Sequence, residues 1–177
     1  MPAFMPDAGS IGIASQSGSV ATVLSHRLAE FGFGSSKVVS AGNCSDIGWP
    51  DYLEYFRQDP DTKVILLHIE GLEDGHTFFQ AARRASLAKP VVIVKAGRTQ
   101  VGMSAAATHT GSLAGSDRVF SAACKQSGVI RMDKMEEAVI MAAALVSTPL
   151  PAGRRVAIVT GGGGFGVIAA DVAAQAG

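Results

Sequence analysis

Short apolar runs alternate with amphipathic helical patterns along most of this chain, and this alternation is the strongest constraint on its fold. The apolar runs predict strands, and apolar residues at three- and four-residue spacing between them predict helices with one buried face. Strands that alternate with helices pair in parallel and are joined by right-handed crossovers. Residues 64–67 are apolar throughout, which is typical of a sheet covered on both faces. The pattern predicts an α/β domain with a doubly wound, five-stranded parallel sheet.

The predicted strands and helices divide the chain into three segments. Residues 1–9 are interpreted as a linker, 10–147 as the α/β domain, and 148–177 as a second linker followed by the truncated start of a second domain. This last segment contains a predicted strand at 155–160, a glycine turn and a predicted helix at 165–174. One strand and one helix cannot bury a core alone, so we expect the chain to be part of a longer protein. The predicted elements of the first domain are strands at 10–15, 37–41, 64–69, 90–95 and 129–131, and helices at about 20–31, 49–57, 75–87, 117–126 and 135–146.

Composition and charge argue against several classes of partner. The formal net charge is zero and no basic block occurs, so nucleic acid is not an expected partner. No apolar run is long enough to span a membrane, and the first nine residues lack the pattern of a signal peptide. Cys44 and Cys124 lack metal-ligand spacing and are interpreted as free thiols, and no metal site is expected. We therefore expect a cytoplasmic protein without a membrane partner.

One histidine, His109, lies among mostly small side chains at residues 104–116, a stretch predicted to be a loop. An imidazole with a pKa near about 6.5 keeps a neutral, nucleophilic nitrogen at physiological pH. A large phosphoryl donor could reach such a ring. The alternative is an exposed loop histidine without a role.

Two glycine turns precede predicted helices. In the first, Ser17, Gly18 and Ser19 directly follow the first strand, where free N–H groups and the helix dipole favour an anion. In the second, Gly162, Gly163 and Gly164 have the same arrangement with fewer side chains. The second turn is not a Walker loop, because no Lys-Ser/Thr follows it. An ordinary serine N-cap is the alternative for the first.

The third predicted strand ends at Glu70, on the sheet edge where the Ser17 turn should also lie. A carboxylate there can accept a hydrogen bond from one ring nitrogen of His109, which leaves the other nitrogen free to attack phosphorus. A surface glutamate is the alternative. His26, His68 and His76 are interpreted as an exposed helix residue, a buried strand residue and a surface or capping residue.

Several short motifs, in order along the chain, resemble the NDP-forming acyl-CoA synthetases, which include ADP-forming acetate–CoA ligase and succinyl-CoA synthetase. The resemblance extends from about residue 9 to 147 and continues through the second glycine turn. The matching motifs are Ser-Gln-Ser-Gly at 15–18, Ser-Ala-Gly-Asn at 40–43 with Asp46, Asp-Pro at 59–60, Ile-Glu-Gly at 69–71, Lys-Pro-Val-Val at 89–92, Lys-Ala-Gly-Arg at 95–98 and Thr-His-Thr-Gly at 108–111.

The resemblance implies a flavodoxin-like fold in which His109 is the phosphohistidine, Glu70 orients it, and the two glycine turns begin the phosphate-gripping helices. It implies that acyl-CoA, ADP and phosphate are interconverted with carboxylic acid, CoA and ATP through an acyl phosphate, and that Mg²⁺ accompanies the nucleotide. The implied partners are a CoA-binding domain, an ATP-grasp domain or subunit and a small carboxylic acid. None of these ligands is expected to be held by this chain alone, and an oligomeric state is left open.

Two other classes of function remain as alternatives at this stage. One is a non-catalytic, synthetase-like regulatory module of a protein acetyltransferase, against which the presence of both His109 and Glu70 argues. The other is a flavodoxin-like nucleotide or flavin binder, and the lack of aromatic residues near Ser17 argues against flavin stacking. The acyl group cannot be read from the sequence. Gly42 and Asn43, in the loop after the second strand, are predicted to lie at the substrate pocket.

Overall fold

The computed structural model describes residues 7–110 and 115–176, except for the side chains of Ala107, His109, Thr110 and Ala176. The strands are β1 (Ala8–Ser15), β2 (Ser35–Ser40), β3 (Val64–Ile69), β4 (Val91–Lys95) and β5 (Ile130–Met132). The helices are α1 (Gly18–Glu30), α2 (Trp49–Gln58), α3 (Gly75–Ala88), α4 (Gln100–Thr110), α5 (Asp117–Ser127), α6 (Met135–Ser147) and α7 (Gly163–Ala176).

The five strands form one parallel sheet in the order β2-β1-β3-β4-β5. This is the strand order of flavodoxin-like folds, in which the chain reverses its direction of winding between β1 and β3. Ser15, the last residue of β1, is in register with His68 of β3 on one side and with Ser40 of β2 on the other. The predicted doubly wound, five-stranded sheet is confirmed.

Alternate residues of the central strands feed two hydrophobic cores, one on each face of the sheet. On one face Ile65 and Leu67 pack with residues of α2, α3 and α5. On the other face Val64 and Leu66 pack with residues of α1 and α6. All six residues of β3 are buried. Burial on both faces explains why this strand is apolar throughout rather than alternating.

The stretch that contains His109 is a helix and not the predicted loop. Residues Gln100–Thr110 form α4, and Thr99 supports its first turn by accepting a hydrogen bond from Gly102 N at 3.1 Å. The helix forms because residues 105–107 are three consecutive alanines, the residue with the highest intrinsic helix propensity. Residues 111–114, the rest of the predicted loop apart from 115 and 116, lie outside the described residues.

The carboxyl-terminal segment differs from prediction in one respect. The predicted strand at 155–160 has no strand partner in the described chain and is not part of the sheet, because a strand forms only where a neighbour satisfies its backbone groups. The predicted helix does form, as α7. Its apolar side chains stay largely exposed, for example Phe165 at 74% and Val172 at 61%. No described helix is long and apolar enough to cross a membrane.

Candidate functional site

The candidate site lies at the carboxyl edge of the sheet, where β1 and β3 end beside each other. Ligands of open parallel sheets bind outside this edge, at the point where the winding direction reverses. Gln16 follows β1 directly and Glu70 follows β3 directly, and Gln16 N donates a hydrogen bond to His68 O at 3.2 Å. The topology therefore brings together two segments that are more than fifty residues apart in sequence.

The helix α1 begins at the predicted anion-binding turn. Ser17 is its N-cap and accepts a hydrogen bond from Val20 N at 3.4 Å, while Ser17 Oγ and Ser19 Oγ lie 2.9 Å apart. Gly18 and Ser19 are exposed. Their backbone N–H groups belong to the first turn of α1, whose donors have no acceptor within the helix. Together with the helix dipole they form a surface that favours an oxyanion.

A buried hydrogen-bond network holds this turn against β3. Ser15 Oγ donates to Ser17 O at 2.7 Å and accepts from Ser17 N at 3.1 Å. His68 Nδ1 lies 3.1 Å from Ser15 Oγ. Because the Ser15 hydroxyl hydrogen is already donated to Ser17 O, Nδ1 carries the ring proton and donates it to Ser15 Oγ. Burial lowers the pKa of His68, since it disfavours the charged ring. His68 is therefore a neutral residue that positions the turn, consistent with its prediction as a buried strand residue.

The backbone of Glu70 is fixed from two sides. Gln16 Oε1 accepts hydrogen bonds from Glu70 N at 2.5 Å and from Gly71 N at 3.0 Å. Lys95 Nζ donates to Glu70 O at 2.6 Å and also to Ala96 O. Glu70 is only 8% exposed. The prediction that Glu70 stands at the carboxyl edge next to the Ser17 turn is confirmed, and a freely solvated surface glutamate does not fit this burial.

The helix α4 approaches Glu70 at Gly97. A Cβ atom placed on Gly97 would lie 3.4 Å from Ala106 Cβ and 3.6 Å from Glu70 O, and Gly97 has a φ of +65°. These distances are ordinary van der Waals contacts, so it is the positive φ, and not a lack of space, that favours glycine here. His109 is three residues beyond Ala106 in the same helix, so the backbone of His109 lies about one turn from the contact. The side chain of His109 lies outside the described residues.

The other predicted site residues are less closely associated. Asn43 lines a cavity together with Trp49, whereas Gly42 is a turn residue with a φ of +56° and is not among the residues that line this cavity. Gly163 and Gly164 lie in the first turn of α7, which begins two residues before the predicted helix start at 165, and Gly162 directly precedes the helix. The described contacts do not bring this second turn to the Ser17 turn.

Residues outside the site behave mostly as predicted. Cys44 and Cys124 are free thiols, and burial raises the pKa of both. His26 is exposed and lies 3.6 Å from a carboxylate oxygen of Glu30. His76 is an exposed residue of the first turn of α3, whose N-cap is Asp74.

The sequence analysis assigned no positioning role in the site to three residues: Gln16, His68 and Lys95. Their common signal is a polar side chain at the carboxyl end of an otherwise apolar strand. Each is 5% exposed, and buried polar groups of this kind require specific hydrogen-bond partners. The sequence shows the placement of these residues, whereas their partners come from other strands.

Comparisons with known proteins agree with this fold. Residues 8–145 match the model of the succinyl-CoA ligase-like flavodoxin domain. The chain is 47% identical over 169 residues to the alpha subunit of ADP-forming acetate–CoA ligase I from Pyrococcus furiosus, covering 96% of this chain and 37% of that protein. It is 45% identical over 166 residues to ADP-forming acetate–CoA ligase from Methanocaldococcus jannaschii, covering 94% of this chain and 23% of that protein.

A solved structure gives the same result in three dimensions. The dinucleotide-forming acetyl-coenzyme A synthetase 1 of Ca. Korarchaeum cryptofilum, in complex with phosphate and ADP, superposes with a TM-score of 0.88 at 39% identity. The match covers 98% of this chain and 38% of that one. The chain thus spans less than two fifths of the length of these three proteins. On its sequence and topology, the chain belongs to the family of succinyl-CoA ligase-like flavodoxin domains.

Proposed function

We propose that this chain is the phosphoryl-carrying part of an ADP-forming acyl-CoA synthetase, with His109 as the residue that carries the phosphoryl group. The complete enzyme would interconvert acyl-CoA, ADP and phosphate with a carboxylic acid, CoA and ATP. The observation that carries the proposal is the convergence of three elements at one sheet edge: the start of α1 at Ser17, the carboxylate-bearing residue Glu70, and the helix α4 that contains His109.

The proposed chemistry has two phosphoryl transfers. A phosphate oxygen attacks the thioester carbonyl carbon, the C–S bond breaks, and CoA leaves as the thiol with a proton from phosphate. A neutral imidazole nitrogen of His109 then attacks the phosphorus of the acyl phosphate, and the P–O bond to the acyl group breaks to release a carboxylate. Finally a terminal phosphate oxygen of ADP takes the phosphoryl group, which restores the imidazole.

The described residues supply groups suited to the first transfer. N–H groups at the start of α1 can bind phosphoryl oxygens whose negative charge they stabilise. Glu70 can accept a hydrogen bond from the second ring nitrogen of His109 and stabilise the ring when it becomes cationic. The buried network of Ser15 and His68 holds the α1 turn in place, so these donors need little reorganisation during the reaction.

The second transfer is assigned to other domains. We propose that ADP, with its Mg²⁺, and CoA are held by an ATP-grasp domain or subunit and a CoA-binding domain. Among the described residues there is no cluster of three or more His, Cys, Asp or Glu that could hold a metal ion. We further propose that residues 148–177 are a linker and the start of a second ligase domain, whose Gly162–Gly164 turn contributes the second phosphate-gripping helix. The exposed apolar side chains of α7 support this assignment, because a further domain would cover them.

Phosphoryl labelling tests the proposal. The complete protein is incubated with radiolabelled acetyl phosphate or ATP, and we expect one label that is stable in base and lost in acid. His109→Ala should abolish the label. Glu70→Gln should slow its formation, because the amide stabilises a cationic ring less than a carboxylate does.

His76→Ala is the matched control, because His76 is an exposed histidine at the start of another helix. It should label like the unchanged protein. Label that persists in His109→Ala contradicts the proposal. The absence of label in the complete unchanged protein would instead favour a regulatory module, and a yellow purified protein would favour a flavin binder.

A further inference from the structure

A cavity of about 250 Å³ lies beside the candidate site, between the loops that follow β2 and β3. Trp49, Leu72 and Phe78 form its apolar wall. Trp49 is 3% exposed and donates a hydrogen bond from Nε1 to Gly71 O at 3.3 Å, so the wall is fixed relative to the end of β3. The volume is below the range of about 300–1,000 Å³ typical of drug-sized ligands. It therefore suits a small molecule with an apolar part.

The amide of Gln16 lines this cavity in one defined orientation. Its Oε1 accepts two backbone N–H groups, from Glu70 and Gly71, so a flipped amide would set donors against donors. Its Nε2 makes no hydrogen bond with any described residue. Among the described residues, every fully buried side-chain nitrogen or oxygen has a hydrogen-bond partner. Because Nε2 has none, it is not fully buried and can be reached by a ligand. Only 5% of Gln16 is exposed, and the residue lines the cavity.

The position of Gln16 next to Ser17 adds a constraint on the ligand. Consecutive Cα atoms lie about 3.8 Å apart, and in an acyl phosphate one bridging oxygen separates the phosphorus from the acyl carbon. A phosphoryl group at the start of α1 therefore brings the acyl carbonyl within reach of the Gln16 amide. The remainder of the acyl group then points toward the apolar wall.

The rim of the cavity is acidic. Asp46, Asp51, Glu73 and Asp74 line it, and none of the described residues that line it is basic. Asp51 accepts a hydrogen bond from Gly48 N and Asp74 caps α3, so these two carboxylates are also held in place. A second carboxylate on the acyl group would meet like charge here, whereas an uncharged acyl tail would not.

We propose that this cavity binds the acyl group, that Gln16 Nε2 donates a hydrogen bond to the acyl oxygen, and that the acidic rim selects monocarboxylic over dicarboxylic acids. This inference rests on the proposed function, because it takes the acyl phosphate as the ligand. It adds a specificity-determining residue, Gln16, and a reason for substrate choice.

Trp49 fluorescence gives a binding assay, because it is the single tryptophan of the chain and lines the cavity. The full chain is titrated with acetyl phosphate. Because every residue that lines the cavity belongs to this chain, we expect saturable quenching, although the family resemblance alone implied that no ligand is held by the chain by itself. Gln16→Glu keeps the size of the side chain and an oxygen for both N–H donors but removes the NH₂ donor. We expect it to weaken binding by at least about 10-fold, the effect of losing a hydrogen bond to a charged or strongly polar ligand group. Gln126→Glu, the same change at an exposed position on α5, should bind like the unchanged chain.

Thermal melting by circular dichroism separates binding from folding. Unweakened binding in a folded Gln16→Glu variant would overturn the role of Gln16. Failure of acetyl phosphate to change Trp49 fluorescence in the unchanged chain would overturn the cavity as the acyl site.

The acidic rim is tested in the complete synthetase by the ratio of kcat/KM for succinate to that for acetate. Asp46→Asn with Glu73→Gln should raise this ratio by at least about 5-fold, because two like charges are removed from the rim. Glu136→Gln, which removes an exposed carboxylate on α6, is the control and should leave the ratio unchanged. An unchanged ratio in the double variant would overturn the role of the rim. If the proposed function itself were wrong, the unchanged enzyme would show neither labelling of His109 nor thioester formation. That outcome can therefore be told apart from a failure of this inference.

Discussion

Replacement of Lys95 by methionine should lower the stability of the domain, because this buried ammonium joins the ends of two strands. Lys95 is 5% exposed, and its Nζ donates to the carbonyl oxygens of Glu70 and Ala96. The same Nζ lies 5.8 Å from the centre of the Phe120 ring, within the range of a cation–π contact. Methionine has a similar length and keeps the apolar packing but has no donor.

The expected loss follows from the two carbonyl groups left without this donor. A buried acceptor without a partner costs about 1–3 kcal/mol, which applies in full to the Glu70 carbonyl and in part to the half-buried Ala96 carbonyl. Part of this is offset, because burial disfavours the ammonium and lowers the pKa of Lys95. We expect a net loss of about 2–4 kcal/mol in the free energy of unfolding. For a chain of this length, 1 kcal/mol corresponds to about 2–4 °C, so the melting temperature should fall by roughly 5–15 °C.

Differential scanning calorimetry at neutral pH measures this change. Lys125→Met, at an exposed position on α5, is the matched control and should change the melting temperature by no more than about 2 °C. A Lys95→Met variant with the same melting temperature as this control would refute the reasoning, because the two carbonyl groups would then have found other donors. Slower labelling of His109 in the same variant would show that the Glu70 backbone matters for the chemistry.

Two further predictions concern pH and packing. Because burial lowers the pKa of His68 from 6.5, the unfolded chain binds more protons than the folded chain as pH falls below this value. The melting temperature of the unchanged chain should therefore fall between pH 7.5 and pH 5.5. The fall should be smaller in His68→Asn, whereas the control His26→Asn, at an exposed position, should show the full fall. An equal fall in all three proteins would exclude His68 as the cause. Gly12→Ala would place a Cβ atom 2.6 Å from a ring carbon of the fully buried Phe56, so we expect a loss of about 1–3 kcal/mol by chemical denaturation. Gly75→Ala, where a Cβ atom meets nothing within 4 Å, should be neutral or stabilising, and a neutral Gly12→Ala would contradict the packing argument.

The sequence by itself determined the class of fold. Buried strands of a parallel sheet must be apolar on both faces, and helices on such a sheet must carry one apolar face, so both patterns are visible in local sequence. Local sequence also predicted where β3 and β4 end and where α1 begins at Ser17, because an apolar run changes to glycine or serine near each of these points. The placement of Glu70 at the carboxyl edge followed from the rule that parallel strands end at the same side.

At two places local rules conflicted, and the predicted element was wrong. Small residues around His109 indicated a loop, but the alanines at 105–107 and the Thr99 cap favour the helix α4. At 155–160 the apolar residues indicated a strand, but strand formation depends on a partner that local sequence does not reveal.

Only the tertiary structure decided how the site is held together. The orientation of the Gln16 amide depends on N–H groups of residues 70 and 71, and the proton position on His68 depends on Ser15, more than fifty residues away. The position of Gly97 between Ala106 of α4 and the Glu70 carbonyl depends on the left-handed backbone that glycine adopts readily there. These features arise from hydrogen bonds and close packing between segments distant in the chain, whereas the periodicity that defines the fold is a property of each segment alone.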